Sequence, residues 1–297
     1  MDFKSIGGFQ QGFGEFDSRL FRQNSVKGAY NMQSNRRSPW QDVFAGQVAL
    51  CTASTSGIGL ESAALIAEGG AKCVIVNGRN AESGQRSVEK IKARAPNAVV
   101  HFLPGDLTDH QTAQNVCSDA LDLAGSIDVL VHAGGAQVSP NLFTRLNPSD
   151  YERLICGHFT SILHVTHAIV PSMIANGKGS IVVVASDAGK VATPGESIIG
   201  AMKAAAIMFV RTLALEVARS GVRANVVTPS LVTETKSFDR VMAGEFSQKI
   251  FEKATERARL GLPTASDVAN GVVYLASPLA AKITGQALSV NGGISAA

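Results

Sequence analysis

The stretch Val48-Ala-Leu-Cys-Thr-Ala-Ser-Thr-Ser-Gly-Ile-Gly59 decides how this chain is read. Val48–Ala53 is a short apolar run, the mark of a buried strand, and Gly57–Glu68 reads as a helix directly behind it. Between them stand three small hydroxyl residues, Ser54, Thr55 and Ser56. A strand that turns through glycine into a helix lets backbone approach a phosphate. The first N–H groups of the helix and the positive end of its dipole face the same point. Alone, such a turn is equally an ordinary strand–helix connection, so its surroundings carry the reading.

Working outward, apolar runs alternate with helical segments. Cys73–Val76, Val99–Leu103, Val129–Val131, Ile181–Ala185, Val222–Val227 and Ala287–Val290 read as strands. Helices are expected at Ala81–Ala95, near Thr108–Leu123, over a long stretch near Pro148–Ala175, near Ile198–Arg219 and near Ser266–Ala276. This alternation predicts an α/β fold, a doubly wound (Rossmann) seven-stranded parallel sheet with helices on both faces. The strands are apolar throughout, as strands covered on both faces must be. Residues 231–262 form a variable region. Its Phe238, Val241, Met242, Phe246, Ile250 and Phe251 read either as the wall of an apolar pocket or as a helical lid packed on the core.

The 297 residues suit one large domain, 41–297, behind an N-terminal arm, 1–40. The arm is rich in Gly, Gln, Asn, Ser and Arg, with Phe3, Phe9, Phe13, Phe16 and Phe21 interleaved and no sustained period. It is flexible, or it docks its aromatics on the core or on a neighbouring subunit. Asp2, Glu15 and Asp17 argue against a transit peptide, and no signal peptide is apparent. Net charge is +3 with the basic residues scattered, so nucleic acid is not indicated as a partner. Cys51, Cys73, Cys117 and Cys156 show no metal-ligand spacing. Reduced thiols, no metal and a cytoplasmic location are expected. No unbroken apolar run approaches the ~18 residues that span a membrane, so no membrane association is expected.

Thr52-Ala53-Ser54-Thr55-Ser56-Gly57-Ile58-Gly59 resembles the Thr-Gly-x-x-x-Gly-x-Gly turn of the short-chain dehydrogenase/reductase superfamily, with Ala53 at the first glycine. Further matches follow in the expected order. Asp106-Leu107 resembles the pair that contacts adenine. His132-Ala133-Gly134-Gly135 stands at the Asn-Asn-Ala-Gly segment and keeps its Ala-Gly. Asn225 and Pro229-Ser230 lie near the nicotinamide position, and Thr233 and Thr235 flank the carboxamide-binding threonine position, held here by Glu234. Thr284-Gly285-Gln286 and Val290-Asn291-Gly292-Gly293 resemble the C-terminal signature, so the resemblance covers about residues 42–293. It implies a nicotinamide cofactor held by Thr52, Ser54, Ser56, Gly57, Ile58, Gly59, Arg79, Asp106, Leu107, Ala133, Gly134, Lys203, Pro229 and Thr233. The second strand ends at Asn77-Gly78-Arg79, with no carboxylate for a ribose 2′-hydroxyl and a cation for a 2′-phosphate, which favours NADP(H) over NAD(H).

The resemblance also implies a catalytic set in which Tyr is the general acid/base, Ser holds the substrate oxygen, Lys lowers the Tyr pKa and Asn anchors a relay water. Ser186 and Lys203 are kept, Ile199 stands at the Tyr position, and His158 falls at the Asn position. Isoleucine moves no proton, so the usual reaction does not carry over with the fold. His158 is a relay group or new acid/base, or a helix histidine filling space. Glu196 lies seven residues before Lys203, where the enoyl-acyl-carrier reductase branch has a tyrosine; otherwise it is a loop carboxylate, as is Asp187. His164 and His167 read as structural, and Tyr30, Tyr151 and Tyr274 fall on no motif position.

The leading expectation is an NADP(H)-linked oxidoreductase with a rebuilt proton relay of Ser186, Lys203, His158 and Glu196. It would act on an apolar or amphipathic carbonyl or enone-type small molecule. The dienoyl-CoA reductases also lack Tyr at this offset. The alternatives are a non-redox enzyme (lyase, isomerase, hydrolase or cyclisation catalyst) on the same scaffold and a non-catalytic binding partner. The long helices of the family form subunit interfaces, so a homodimer or homotetramer is expected.

Overall fold

The computed structural model describes residues 38–136 and 138–297. The expected arm lies outside the described residues except for Ser38–Trp40. The strands are β1 (Val48–Thr52), β2 (Cys73–Gly78), β3 (Val99–Pro104), β4 (Val129–His132), β5 (Gly179–Val184), β6 (Val222–Thr228) and β7 (Ala287–Ser289). They form one seven-stranded sheet in the order β3-β2-β1-β4-β5-β6-β7, with every pair parallel. In register, Cys51 of β1 sits between Val76 and Val131. Every residue of β1, β2 and β4 is buried, as their largely apolar sequence requires.

Helices α1 (Gly57–Glu68), α2 (Ala81–Arg94) and α9 (Ala265–Ala276) cover one face, in a core that includes Ile66, Val76, Ile91, Val131 and Val272. Helices α3 (His110–Ala124), α5 (Ser161–Ala175) and α6 (Ser197–Val217) cover the other, around Leu50, Ile75, Ile169, Ile181 and Val210. Trp40, expected in the arm, is buried in the first core, and its Nε1 donates to Asn270 Oδ1 of α9 at 3.0 Å. At the far edge Asn225 pins β7: its Nδ2 donates to Ile283 O at 2.9 Å and its Oδ1 accepts from Gln286 N at 3.0 Å.

The expected single helix near Pro148–Ala175 is interrupted. After a 3₁₀ turn at Pro148–Asp150, α4 (Tyr151–Ile155) runs into one π-helical turn, Cys156–Thr160, and then into α5. Gly157 is the local reason that the turn fits: a Cβ there would lie 2.8 Å from that of Ala136, on the segment after β4. The variable region folds as α7 (Lys236–Ala243) and α8 (Glu245–Arg257), where Leu231, Val241 and Phe251 make a small core of their own.

Pro148–Ala175 and Ser197–Ser220 are long and apolar enough to cross a membrane by composition alone, which the reading of unbroken apolar runs missed. Both supply core residues beneath the sheet, among them Ile162, Val165, Val210 and Ala214. The strand order reverses between β1 and β4, and the carboxyl ends of the strands part there into a crevice, where ligands of doubly wound sheets bind.

Candidate active site

The crevice opens into a cleft of about 1000 Å³. One end is built by the β1–α1 turn. Ala53 adopts φ +52°, the left-handed region that favours glycine, and Gly57 adopts φ +56°. Gly59 has no space for a side chain, since a Cβ would lie 2.8 Å from both Ala53 O and Ser54 Cα. Asn80 and Asp109 cap α2 and α3 with their side chains, whereas the N-cap of α1, Ser56, makes no such bond. The first amides of α1 are therefore open at the cleft, the arrangement that receives an anion. Ser56, Gly57, Ile58 and Gly59 all line it.

Thr52 and Ser54 do not line the cleft. Both are fully buried. The Ser54 hydroxyl donates to Cys51 O and its oxygen accepts from Asn77 N, so it holds the turn shut from behind. Thr233 also lies outside the lining and bonds Pro263 through its N–H and hydroxyl. Arg79, Asp106, Leu107, Ala133, Gly134 and Pro229 all line the cleft. Arg79 Nη1 lies 3.4 Å from Asp106 Oδ2, with both side chains largely exposed. Burial works to raise the Asp106 pKa, but hydrogen bonds from Thr108 and the Arg79 charge outweigh it and hold the carboxyl below its usual range.

At the other end, Ser186, Glu196, Ile199, Lys203 and His158 share the lining. Ser186 Oγ accepts from Ala188 N at 3.2 Å, which leaves its O–H free to donate into the cleft. Lys203 is buried, and its Nζ donates to Gly134 O at 3.4 Å and Val184 O at 3.3 Å. Burial pulls its pKa down to about 8 against the opposing charge of Glu196. Burial pushes the Glu196 carboxyl up to about 7, and Lys203 acts against the rise. Ile199 and Lys203, four residues apart, share one face at the start of α6, and Glu196 is the N-cap that precedes them.

His158 sits in the π turn, 7% exposed, with neither ring nitrogen hydrogen-bonded. Gly135 makes room for it: a Cβ there would lie 3.1 Å from His158 Cε1. Burial, reinforced by the Lys203 charge, lowers its pKa to about 3. The expected titration near neutrality is thereby corrected: the ring is neutral at physiological pH.

His132 and Asn77 also line the cleft, although neither was among the expected site residues. His132 ends β4 fully buried, its pKa also lowered to about 3 by burial and the Lys203 charge. Thr52 Oγ1 lies 3.3 Å from Val131 O and 2.8 Å from His132 Nδ1. Ser161 Oγ lies 3.4 Å from both His132 Nε2 and Gly157 O, so one hydrogen-bonded chain joins Thr52, His132 and Ser161. Asn77 joins the strand ends, its Nδ2 donating to Leu103 O at 3.0 Å and Gly105 O at 3.3 Å. Each is a polar residue in an otherwise apolar strand, which is the signal that marks it.

A family model described as enoyl-(acyl carrier protein) reductase matches residues 52–295. The chain belongs to the short-chain dehydrogenase/reductase family. Among curated members it is 33% identical over 251 residues to the 3-oxoacyl-(acyl-carrier-protein) reductase of Vibrio cholerae, covering 84% of this chain and 97% of that one. It is 30% identical over 249 residues to the 7alpha-hydroxysteroid dehydrogenase of Escherichia coli, covering 84% and 94%. Among solved structures, levodione reductase superposes with a TM-score of 0.79 at 21% identity, over 84% of this chain and 98% of that one. A short-chain dehydrogenase/reductase of Mycobacterium ulcerans gives 0.78 at 24% identity, over 84% and 90%. The cofactor of this oxidoreductase family is NAD(P), and the open α1 amides and the close-packed Gly59 fit its diphosphate.

Proposed function

We propose that this short-chain dehydrogenase/reductase is an NADP(H)-linked oxidoreductase that reduces an apolar or amphipathic enone or carbonyl compound without a tyrosine. The observation that carries this is the start of α6, where isoleucine fills the tyrosine position and the N-cap carboxyl of Glu196, with pKa about 7, lines the same cleft. Arg79 supports the preference for a 2′-phosphate.

When bound, the nicotinamide supplies the hydride; protons and charge are handled by the chain. Near pH 7 Glu196 exists in both protonation states, the condition for an efficient proton donor. The Ser186 O–H stabilises negative charge on the substrate oxygen. Lys203 keeps a positive charge beside it and would hold the nicotinamide ribose. His158, neutral, accepts at one nitrogen and donates from the other, which passes a proton without carrying charge. An activated C=C bond suits this set, because its enolate needs hydrogen bonds and a separate proton rather than a phenol.

Ile199 and Phe251 give the cleft its apolar wall. The reading includes a homodimer or homotetramer, supported by Met208 and Leu215 exposed on α6 at 59% and 79%. It also includes a cytoplasmic location, supported by four free cysteines. The test is product analysis with cyclic enones: NADPH consumed one-to-one with saturated ketone supports the reading. Product formed without NADPH consumption points to non-redox chemistry at Glu196 and His158.

A further inference from the structure

We propose that Lys236 and Arg240 form an anion-binding subsite at the rim of this cleft, and that the substrate is an amphipathic acid: an apolar body ending in one carboxylate or phosphate. The inference rests on the redox reading of the same cleft and deepens it.

Lys236 opens α7 and Arg240 follows four residues later, so both lie on one face about 6 Å apart along the axis. Both line the cleft. The other cations there are occupied. Arg79 faces Asp106 at 3.4 Å, Arg153 faces Asp150 at 2.7 Å, and Lys203 donates to two carbonyls. Among the described residues Lys236 and Arg240 have neither an ion-pair partner within 4.0 Å nor a side-chain hydrogen bond. The same helix turns Phe238 and Val241 into the cleft, and α8 adds Phe251.

An apolar wall bordered by two unmatched cations suits neither a plain hydrocarbon nor a small hydrophilic anion. A hydrocarbon leaves the charges unused, and a small anion leaves the wall in water. A ligand with an apolar body and an anionic head satisfies both, and Arg240 offers its head group a bidentate fork. The competing role for the pair is the cofactor diphosphate, since the helix start reaches the phosphate turn: Thr235 Cγ2 lies 3.4 Å from the Cβ position of Gly57. Phe238, Val241 and Phe251 line the same cleft as the two cations, and the NADPH affinity of a variant lacking both cations separates the two roles.

The experiment is calorimetry on the full chain with octanoate, 1-octanol and, separately, NADPH, repeated on the double variant Lys236→Gln, Arg240→Gln. Both side chains reach solvent, and an unchanged unfolding temperature confirms that the variant is folded. The expected result is octanoate binding about tenfold tighter than 1-octanol. In the variant that preference vanishes while NADPH affinity stays unchanged. Equal affinity for the two ligands, or a preference that survives in the variant, overturns the subsite. Loss of NADPH affinity in the variant also overturns it, by assigning the cations to the cofactor. If the intact chain binds no NADPH yet the octanoate preference follows the two cations, the subsite stands and the redox reading fails.

Discussion

Glu196, the N-cap of α6, and Lys203, seven residues further on within the helix, line the same cleft, with Ile199 between them in sequence. Burial shifts the carboxyl up to about 7 and the ammonium down to about 8, which brings two groups of opposite charge close to the operating pH. Where the resemblance places a phenol, this chain has a carboxylic acid one turn earlier.

Glu196→Gln removes the proposed proton donor while keeping a side chain of the same size. The expected loss in kcat is about a hundredfold or more. In the wild type, kcat for reduction falls as pH rises through about 7, where Glu196 deprotonates; the variant lacks that limb. A pH–rate profile of both proteins checks this. A variant that retains the limb assigns it to another group.

Ile199→Tyr restores a phenol four residues before Lys203, beside the free hydroxyl of Ser186. Carbonyl reduction of simple cyclic ketones with NADPH should rise from background to measurable turnover. No gain at any pH would show that the Ser186–Lys203 frame differs from that of tyrosine-bearing relatives.

Stability should fall in mild acid. His132 and His158 have folded-state pKa values near 3, against an ordinary 6.5. Between those values the unfolded chain binds protons that the folded chain refuses, so stability is full above pH 6.5 and is lost as pH falls toward 3. Each ring contributes up to about 1.4 kcal/mol per pH unit in that window. Denaturant unfolding at pH 7, 6 and 5 measures the slope, and His158→Asn should reduce it.

Ala53→Gly relieves a left-handed backbone, φ +52°, that costs an L-residue about 1 kcal/mol. The greater freedom of glycine in the unfolded chain offsets about half or more of that gain. A small rise in unfolding temperature is expected. A clear fall would show that the Ala53 methyl packs productively.

The sheet was legible because each strand is an apolar run and each crossover carries helical periodicity, from Val48–Ala53 to Ala287–Val290. Glu196, Ile199 and Lys203 were picked out by their offsets from one another in the family resemblance, and the structure sets Glu196 just before α6 as its N-cap. The π turn was not legible. Nothing in Cys156–Thr160 departs from a helical pattern, and the turn is accommodated where Gly157 meets Ala136, a contact between segments distant in sequence. Side-chain direction in the phosphate turn was equally hidden: Thr52 and Ser54 match the motif, yet their hydroxyls bind His132, Val131 and Cys51 instead of facing the cleft. The neutral state of His158 depends on burial beside Lys203, which composition does not reveal.

A nicotinamide oxidoreductase with Ile199 at the tyrosine position must still bind its cofactor. The most direct measurement is calorimetric titration of the purified protein with NADPH, with NADH and the Arg79→Gln variant alongside. Micromolar NADPH binding, about tenfold weaker NADH binding, and loss of that preference in the variant are expected, since one phosphate-pairing cation is removed. No binding of either nucleotide would contradict the oxidoreductase reading and direct attention to cofactor-free chemistry at Glu196 and His158.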